Sequence, residues 1–229
     1  MNYRKQRATR HCALMIIVGT SAFMTGCMTT RVEEFKNSAT GIQSHESVVI
    51  LEASYHTGNE TEDDFVDCVT SRVKRGRHGI NVFPDEQFVD ALYPWFEPRT
   101  MPAGPEALPE LFRRPEVEKR LSESGVRYII WVRGDTEKTS SGGSLSCAIA
   151  PGAGGCFGLA WWENDSSYAA AIWDIRAGKS AGEVSADVHG TSVIPAFIIP
   201  LPLIARTKAA ACKGLARELL SFIVDSGPF

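Results

Sequence analysis

The pattern of hydrophobic and polar positions predicts strands and helices that alternate between residues 47 and 224. Two continuous apolar runs, 47–52 and 126–132, are rich in β-branched and aromatic residues and predict buried strands. Apolar residues spaced three and four apart predict helices near 61–76 and 206–224. The first turn of the first helix is acidic, and negative charge there is stabilised by the positive N-terminal end of the helix dipole.

The remaining elements follow from the same spacing and from glycine and proline positions. Further helices are predicted from Pro84 and at Pro115–Ser124, where Gly125 ends the second. Further short strands are expected at 80–83, 157–162, 168–175 and 182–191, with turns at 164–166 and 177–179. Residues 98–109 and 140–155 are expected to be loops.

The element order is therefore β-α-β-α-α-β-β-β-β-α. A mixed β-sheet flanked by helices, in a single α/β domain over 47–229, is the economical way to bury these faces. The order is similar to that of small periplasmic domains in curli-secretion lipoproteins, in penicillin-binding-protein-activator lipoproteins and in the Tol-system propeller protein. The resemblance rests on this order and on the helix-ending Gly125 that leads into a central strand. Such an analogy carries no function.

The segment Val193–Ile204 has an unusual composition. It is apolar and uncharged, but three prolines argue against a helix or a central strand. Burial of each large side chain stabilises by roughly 1.5–3 kcal/mol, so the segment should be covered by its own domain, a partner, a second subunit or the acyl region of a membrane. The candidate contact residues are Phe197, Ile198, Ile199, Leu201 and Leu203, and Trp162 on a neighbouring predicted hairpin.

The N-terminus carries a targeting signal. Four basic residues precede a short apolar run, 13–23, and then Met24-Thr25-Gly26-Cys27. This succession resembles the bacterial lipobox, which implies that residues 1–26 are removed and that Cys27 becomes a lipidated N-terminus. An ordinary signal peptide or signal anchor is the alternative. Residues 27–46 are polar and are expected to form a flexible tether. Met28 stands where an aspartate would favour the inner membrane, so the outer membrane is expected.

Charge excludes one class of partner. The full chain carries a net charge of −3, and removal of residues 1–26, with four basic and no acidic residues, would give −7. Nucleic-acid binding needs a positive face, so no nucleic-acid partner is expected. The expected partners are the membrane, through lipidated Cys27, and an envelope protein or a second copy of the chain.

Six cysteines fit an exported protein. Cys12 lies in the signal segment and Cys27 is assigned to the lipid. The other four allow three pairings, or none if the thiols are reduced and buried. Cys147 and Cys156 bracket a short Gly/Pro loop whose closure costs little entropy, so this pair is favoured. Cys68–Cys212 then follows by elimination, joining an early helix to the last one. No zinc site is expected, because no CxxC occurs and no histidine lies near a cysteine pair.

Catalytic patterns are weak. Asp187, His189 and Thr191 alternate on a predicted strand, with Ser192 adjacent. Residues at i and i+2 stand about 7 Å apart, however, which exceeds the hydrogen-bond reach that a nucleophile and its base require. No phosphate-binding loop of the Gly-x-x-x-x-Gly-Lys-Ser/Thr type occurs.

The sequence therefore predicts a non-catalytic outer-membrane lipoprotein without a cofactor. Its domain would face the periplasm and act as an interaction or assembly component of a cell-envelope system. The alternative is a small envelope hydrolase or a small-ligand-binding protein.

Overall fold

The computed structural model describes residues 27–52, 61–76, 79–97, 99–102 and 104–224. The predicted signal segment, 1–26, lies outside the described residues. The strands are β1 Met28–Lys36, β2 Ser47–Glu52, β3 Asn81–Val82, β4 Val126–Ala150, β5 Ala153–Asp174 and β6 Lys179–Pro200. The α-helices are α1 Asp63–Lys74, α2 Asp85–Ala91, α3 Leu108–Phe112, α4 Pro115–Ser124 and α5 Thr207–Val224, and a 3₁₀ turn, Pro105–Ala107, precedes α3.

The six strands form one mixed sheet in the order β1-β6-β5-β4-β2-β3. Strand β2 is parallel to both β3 and β4. Two short turns join β4, β5 and β6, which are sheet neighbours and therefore run antiparallel. This arrangement confirms the predicted α/β class with a mixed sheet flanked by helices.

Successive side chains of β2 and β4 point to opposite faces of the sheet, and each face has its own apolar core. Val48 and Ile50 face the same side as Tyr128 and Ile130, in a cluster completed by the apolar faces of α1 and α5. The intervening residues, such as Val49 and Ile129, pack instead with residues of α2, α3 and α4. Helices thus cover both faces of the sheet here, which explains why these strands are continuously apolar.

The described chain divides into two compact units. The larger unit contains residues 29–137, 165–189 and 206–224, and with them both cores and all five α-helices. The smaller unit contains residues 27–28, 138–164 and 190–205, which include the last part of β4, the first part of β5 and the last part of β6.

The predicted tether is partly wrong, because residues 28–36 form strand β1 next to β6. The strand is polar since it lies at the edge of the sheet, where few side chains face a core. Val32 is one that does: it is half-buried and packs against the core cluster beside Gly214. A single inward residue in a polar stretch gave no strand signal in the sequence.

The predicted turn at 164–166 is also wrong, because β5 runs without a break from Ala153 to Asp174. The polar residues that suggested a turn are paired inside the structure. Asp165 contacts His189, and Ser167 donates a hydrogen bond of 2.6 Å to Asp187 on β6. Ser166 is buried and donates to Thr207 at 2.8 Å. Three long strands therefore replace the four short ones expected after α4.

The predicted loop at 140–155 is a β-hairpin instead. Strand β4 continues to Ala150, the chain turns at Pro151–Gly152, and β5 begins at Ala153. Proline presets the first turn position, and Gly152 adopts a φ of 89°, which a type II turn requires at its second position. Gly143 has a φ of 88°, and a Cβ there would lie 2.0 Å from the Leu159 carbonyl oxygen. Small residues that suggested a loop thus permit close strand approach.

Candidate interaction surface

The smaller unit exposes its large apolar side chains. Ten of the twelve exposed large hydrophobic residues in the described chain lie in this unit, although it holds a minority of the residues. The most exposed are Ile149 at 94% and Phe197 at 79%. The others are Met28, Leu145, Phe157, Leu159, Ile198, Ile199, Leu201 and Ile204. We call these ten residues the apolar surface.

The smaller unit has no apolar core of its own among the described residues. Its buried residues are small: Gly190, Ser192, Ala196 and Ala205. Val193, Trp161 and Trp162 are half-buried. Three strands without a packed face are marginally stable in water. Among the alternatives for Val193–Ile204, cover by its own domain is therefore not seen for the exposed side chains of the segment.

Sequence reasoning found only part of this surface. It singled out Phe197, Ile198, Ile199 and Leu201, which are exposed, and Leu203 and Trp162, which are half-buried. Leu145 and Ile149 lie in the segment that the sequence predicted as a loop, whereas Phe157 and Leu159 lie in a predicted strand whose exposure the sequence did not reveal. The available signal was the absence of Asp, Glu, Lys, Arg and His throughout 139–162, which matches their absence from 190–205.

Val193–Ile204 contains no helix, as predicted, and its prolines lie in or just after the last part of β6. Residues 193–200 belong to β6, and the chain then folds back, so that Val193 and Leu203 exchange backbone hydrogen bonds of 2.9 and 2.8 Å. Leu201 N donates to the Pro195 carbonyl at 3.0 Å. Pro195 therefore faces this irregular return, where a missing N–H group is tolerated better than in a regular ladder.

Aromatic side chains meet between β5 and β6 in the smaller unit. The rings of Phe157 on β5 and Phe197 on β6 lie 5.6 Å apart. Trp161 lies over Gly142 on β4, where a Cβ would stand 3.0 Å from the indole ring.

Cys27 lies within the same unit. The backbone N–H of Thr191 donates to the Cys27 carbonyl at 3.1 Å, and Cys27 is an exposed free cysteine. Thr191 precedes Val193 by two residues. A group attached to Cys27 would therefore start beside the apolar part of β6.

Both predicted disulfides are present. Cys147 and Cys156 face each other across the β4–β5 hairpin, with Cα atoms 4.0 Å apart. Cys68 on α1 is bonded to Cys212 on α5, with Cα atoms 6.3 Å apart. The first lies in the smaller unit and the second in the larger, so each unit carries its own cross-link.

The possible catalytic residues do not converge. Ser192 is fully buried, and its Oγ accepts a hydrogen bond from Ala205 N at 3.0 Å. Asp187 is paired with Ser167 and His189 with Asp165. A nucleophile needs an accessible hydroxyl in contact with its base, and Ser192 has neither property.

A buried polar network lies in the larger unit. The Tyr168 hydroxyl donates to Glu62 at 2.7 Å and lies 2.9 Å from the Thr136 hydroxyl. Ser166 and Thr207 extend the network from Thr136. Burial raises the pKa of the Tyr168 phenol well above its ordinary value, and the hydrogen bond to Glu62 raises it further. This phenol therefore stays protonated and acts as a structural donor.

A cavity of about 650 Å³ lies in the larger unit, between α4 and the turn that joins β5 to β6. Its charged lining is largely self-neutralised, since Arg127 binds Asp174 at 2.6 Å and Arg176 is paired with Glu46. Arg113 and Glu118 line it as well. The cavity could admit a small polar ligand, but its balanced charges select neither an anion nor a cation.

The described residues contain no cluster of three or more His, Cys, Asp or Glu side chains that could hold a metal ion. In the same part of the chain, no helix is both long and apolar enough to cross a membrane.

Comparisons with known proteins do not assign the chain to a family. No protein-family model and no curated protein matches the chain. Among solved structures, a single-substitution variant of the PelC dodecamer from Paraburkholderia phytofirmans shares 12% identity over 87% of this chain and 100% of that chain, with a TM-score of 0.38. Another PelC dodecamer from that organism shares 13% over 87% and 99%, with a TM-score of 0.36. At these scores the likeness indicates neither a shared fold nor a shared function.

Proposed function

We propose that this protein is a lipid-anchored, non-catalytic interaction or assembly component of the bacterial cell envelope. It is held at the outer membrane through Cys27, with its folded units in the periplasm. The apolar surface of the smaller unit is its site of contact.

The apolar surface is the observation that carries the proposal. Soluble monomers rarely expose contiguous apolar patches of this kind unless they serve binding. Each large side chain removed from water stabilises by roughly 1.5–3 kcal/mol, so covering even part of this surface favours association. The described part of the smaller unit has no apolar core into which these side chains could turn.

The alternative activities have less support. Hydrolysis would need an accessible nucleophile, and Ser192 is buried against Ala205. Small-ligand binding would use the 650 Å³ cavity, where Arg127 and Arg176 are already paired with carboxylates. Neither alternative explains why exposed hydrophobic residues are concentrated in one unit.

Site-specific photocrosslinking in intact cells tests the contact. A photoreactive phenylalanine replaces Phe197, and the control replaces Tyr93, which is 59% exposed in the larger unit. We expect an adduct with another molecule at position 197 and none at position 93. Equal adducts, or none at either position, would contradict a contact role for the apolar surface.

A further inference from the structure

The absence of charge in the smaller unit distinguishes a protein partner from a lipid bilayer as the cover of the apolar surface. Protein interfaces keep a polar rim around an apolar centre. Here no charged residue and no histidine occurs in 139–162 or in 190–205, so the uncharged region extends over all three strands of the unit. Charge is costly inside a bilayer, where this absence is expected.

The apolar residues also lie on both faces of the hairpin. Side chains alternate along a strand, so Ile149, two residues after Cys147, shares the face of the Cys147–Cys156 disulfide. Phe157 directly follows Cys156 and starts toward the opposite face. Ile149 and Phe157 are both exposed. A protein partner covers one face of a hairpin, whereas lipid can cover both.

Tryptophans mark the end of the charge-free part of β5. Trp161 and Trp162 are half-buried and are followed directly by Glu163, Asn164 and Asp165. Tryptophan is enriched where apolar and aqueous regions of a membrane meet, because its ring is apolar and its N–H is polar. The sequence thus passes from lipid-compatible to water-compatible side chains at these two residues.

The position of Cys27 beside β6 favours a lipid bilayer as the cover of the apolar surface. Its carbonyl accepts a hydrogen bond from Thr191 N, so its backbone is fixed beside β6 within this unit. Phe197 lies six residues further along β6, about 20 Å at the usual rise per residue. An acyl chain on Cys27 would place the membrane within reach of the apolar surface.

We infer that the smaller unit is itself a membrane-contacting element, with the lipid bilayer covering the apolar surface next to the acylated Cys27. The inference rests on the proposed function for the anchor.

Vesicle flotation tests the inference without the lipid. The protein starts at residue 27, contains every described element and carries Cys27→Ser. It is mixed with phosphatidylcholine vesicles, which have no net charge. We expect it to float with the vesicles and the emission of Trp161 and Trp162 to shift to the blue.

Matched variants locate the contact. The double variant Phe197→Asp with Ile199→Asp should reduce vesicle partitioning by roughly tenfold or more, because carboxylates enter an apolar phase at high cost. The control is Phe35→Asp, which changes a side chain that is 68% exposed in the larger unit, and it should partition like the parent. Thermal melts of all three proteins should coincide, since the replaced side chains are exposed.

Three results would overturn the inference. They are failure of the parent to float, equal flotation of all three proteins, or a large loss of thermal stability in the double variant. A stable oligomer that does not float, seen by light scattering, would assign the apolar surface to a second copy of the chain. The serine at position 27 makes all these results independent of lipidation, so failure here leaves the anchor itself untouched.

Discussion

Among single residues, Tyr168 joins the apolar core of the larger unit to its polar network. Its ring stacks on Phe65 with centroids 3.4 Å apart, while its hydroxyl bonds Glu62 and lies close to Thr136. A buried aromatic residue with a satisfied hydroxyl stabilises through both parts.

Replacing Tyr168 by Phe should therefore destabilise the protein by roughly 1–3 kcal/mol, because Glu62 and Thr136 lose a partner in a region with little water. Urea unfolding at pH 7 measures the change. Tyr93→Phe is the control, since Tyr93 is exposed, and should be nearly neutral. Equal stability of Tyr168→Phe and the parent would contradict the role assigned to the hydroxyl.

Tyr168→Phe should also change how the free energy of unfolding depends on pH. The pKa of Tyr168 is raised in the folded state, so the unfolded chain releases this proton first, near the ordinary tyrosine pKa of about 10. Its contribution to stability is thus complete below about pH 10 and decreases as the pH rises further. We expect Tyr168→Phe to show a smaller loss of stability between neutral and alkaline pH than Tyr93→Phe.

At the scale of elements, the two disulfides restrain loops of very different length. Cys68 and Cys212 are separated by 144 residues and join α1 to α5, whereas Cys147 and Cys156 are separated by 9 and join β4 to β5. A longer loop restricts the unfolded chain more.

Removing Cys68–Cys212 with two alanines should cost about 5 kcal/mol, and removing Cys147–Cys156 about 3 kcal/mol, by the chain-entropy model. Urea unfolding of the two double variants and the parent provides the comparison. The reverse order of stabilities would show that the hairpin cross-link does more than restrict the unfolded chain.

The sequence revealed elements best where local signals agree. Gly125 ends α4 with a φ of 70°, as predicted for a left-handed cap, and Val126–Val132 is central because it is continuously apolar. Strand β1 could not be predicted, since edge pairing with β6 supplies its stability. The unbroken β5 was also hidden, because the partners of Asp165 and Ser167 lie on β6, 24 and 20 residues further along the chain.

At the scale of the whole molecule, the two units differ in how their apolar residues are used. The larger unit buries them in two cores, whereas the smaller unit exposes them. Sequence alone indicated that Val193–Ile204 needs a cover but not what provides it, because burial depends on long-range packing. The hairpin that exposes Leu145 and Ile149 was hidden as well, because its glycines and serines are typical of a loop.

The contact role also depends on where the protein is attached. Cys27 is exposed and bonded through its carbonyl to Thr191, next to the apolar part of β6. Lipid on its side chain would bring the apolar surface and a membrane together.

Mass spectrometry of the N-terminal peptide, combined with radiolabelled palmitate, tests the anchor most directly. We predict that the exported protein begins at Cys27 and carries acyl label, and that Cys27→Ser yields unprocessed, unlabelled precursor. An exported protein that begins elsewhere, or equal labelling of the serine variant, would contradict the lipid anchor on which the account of this protein depends.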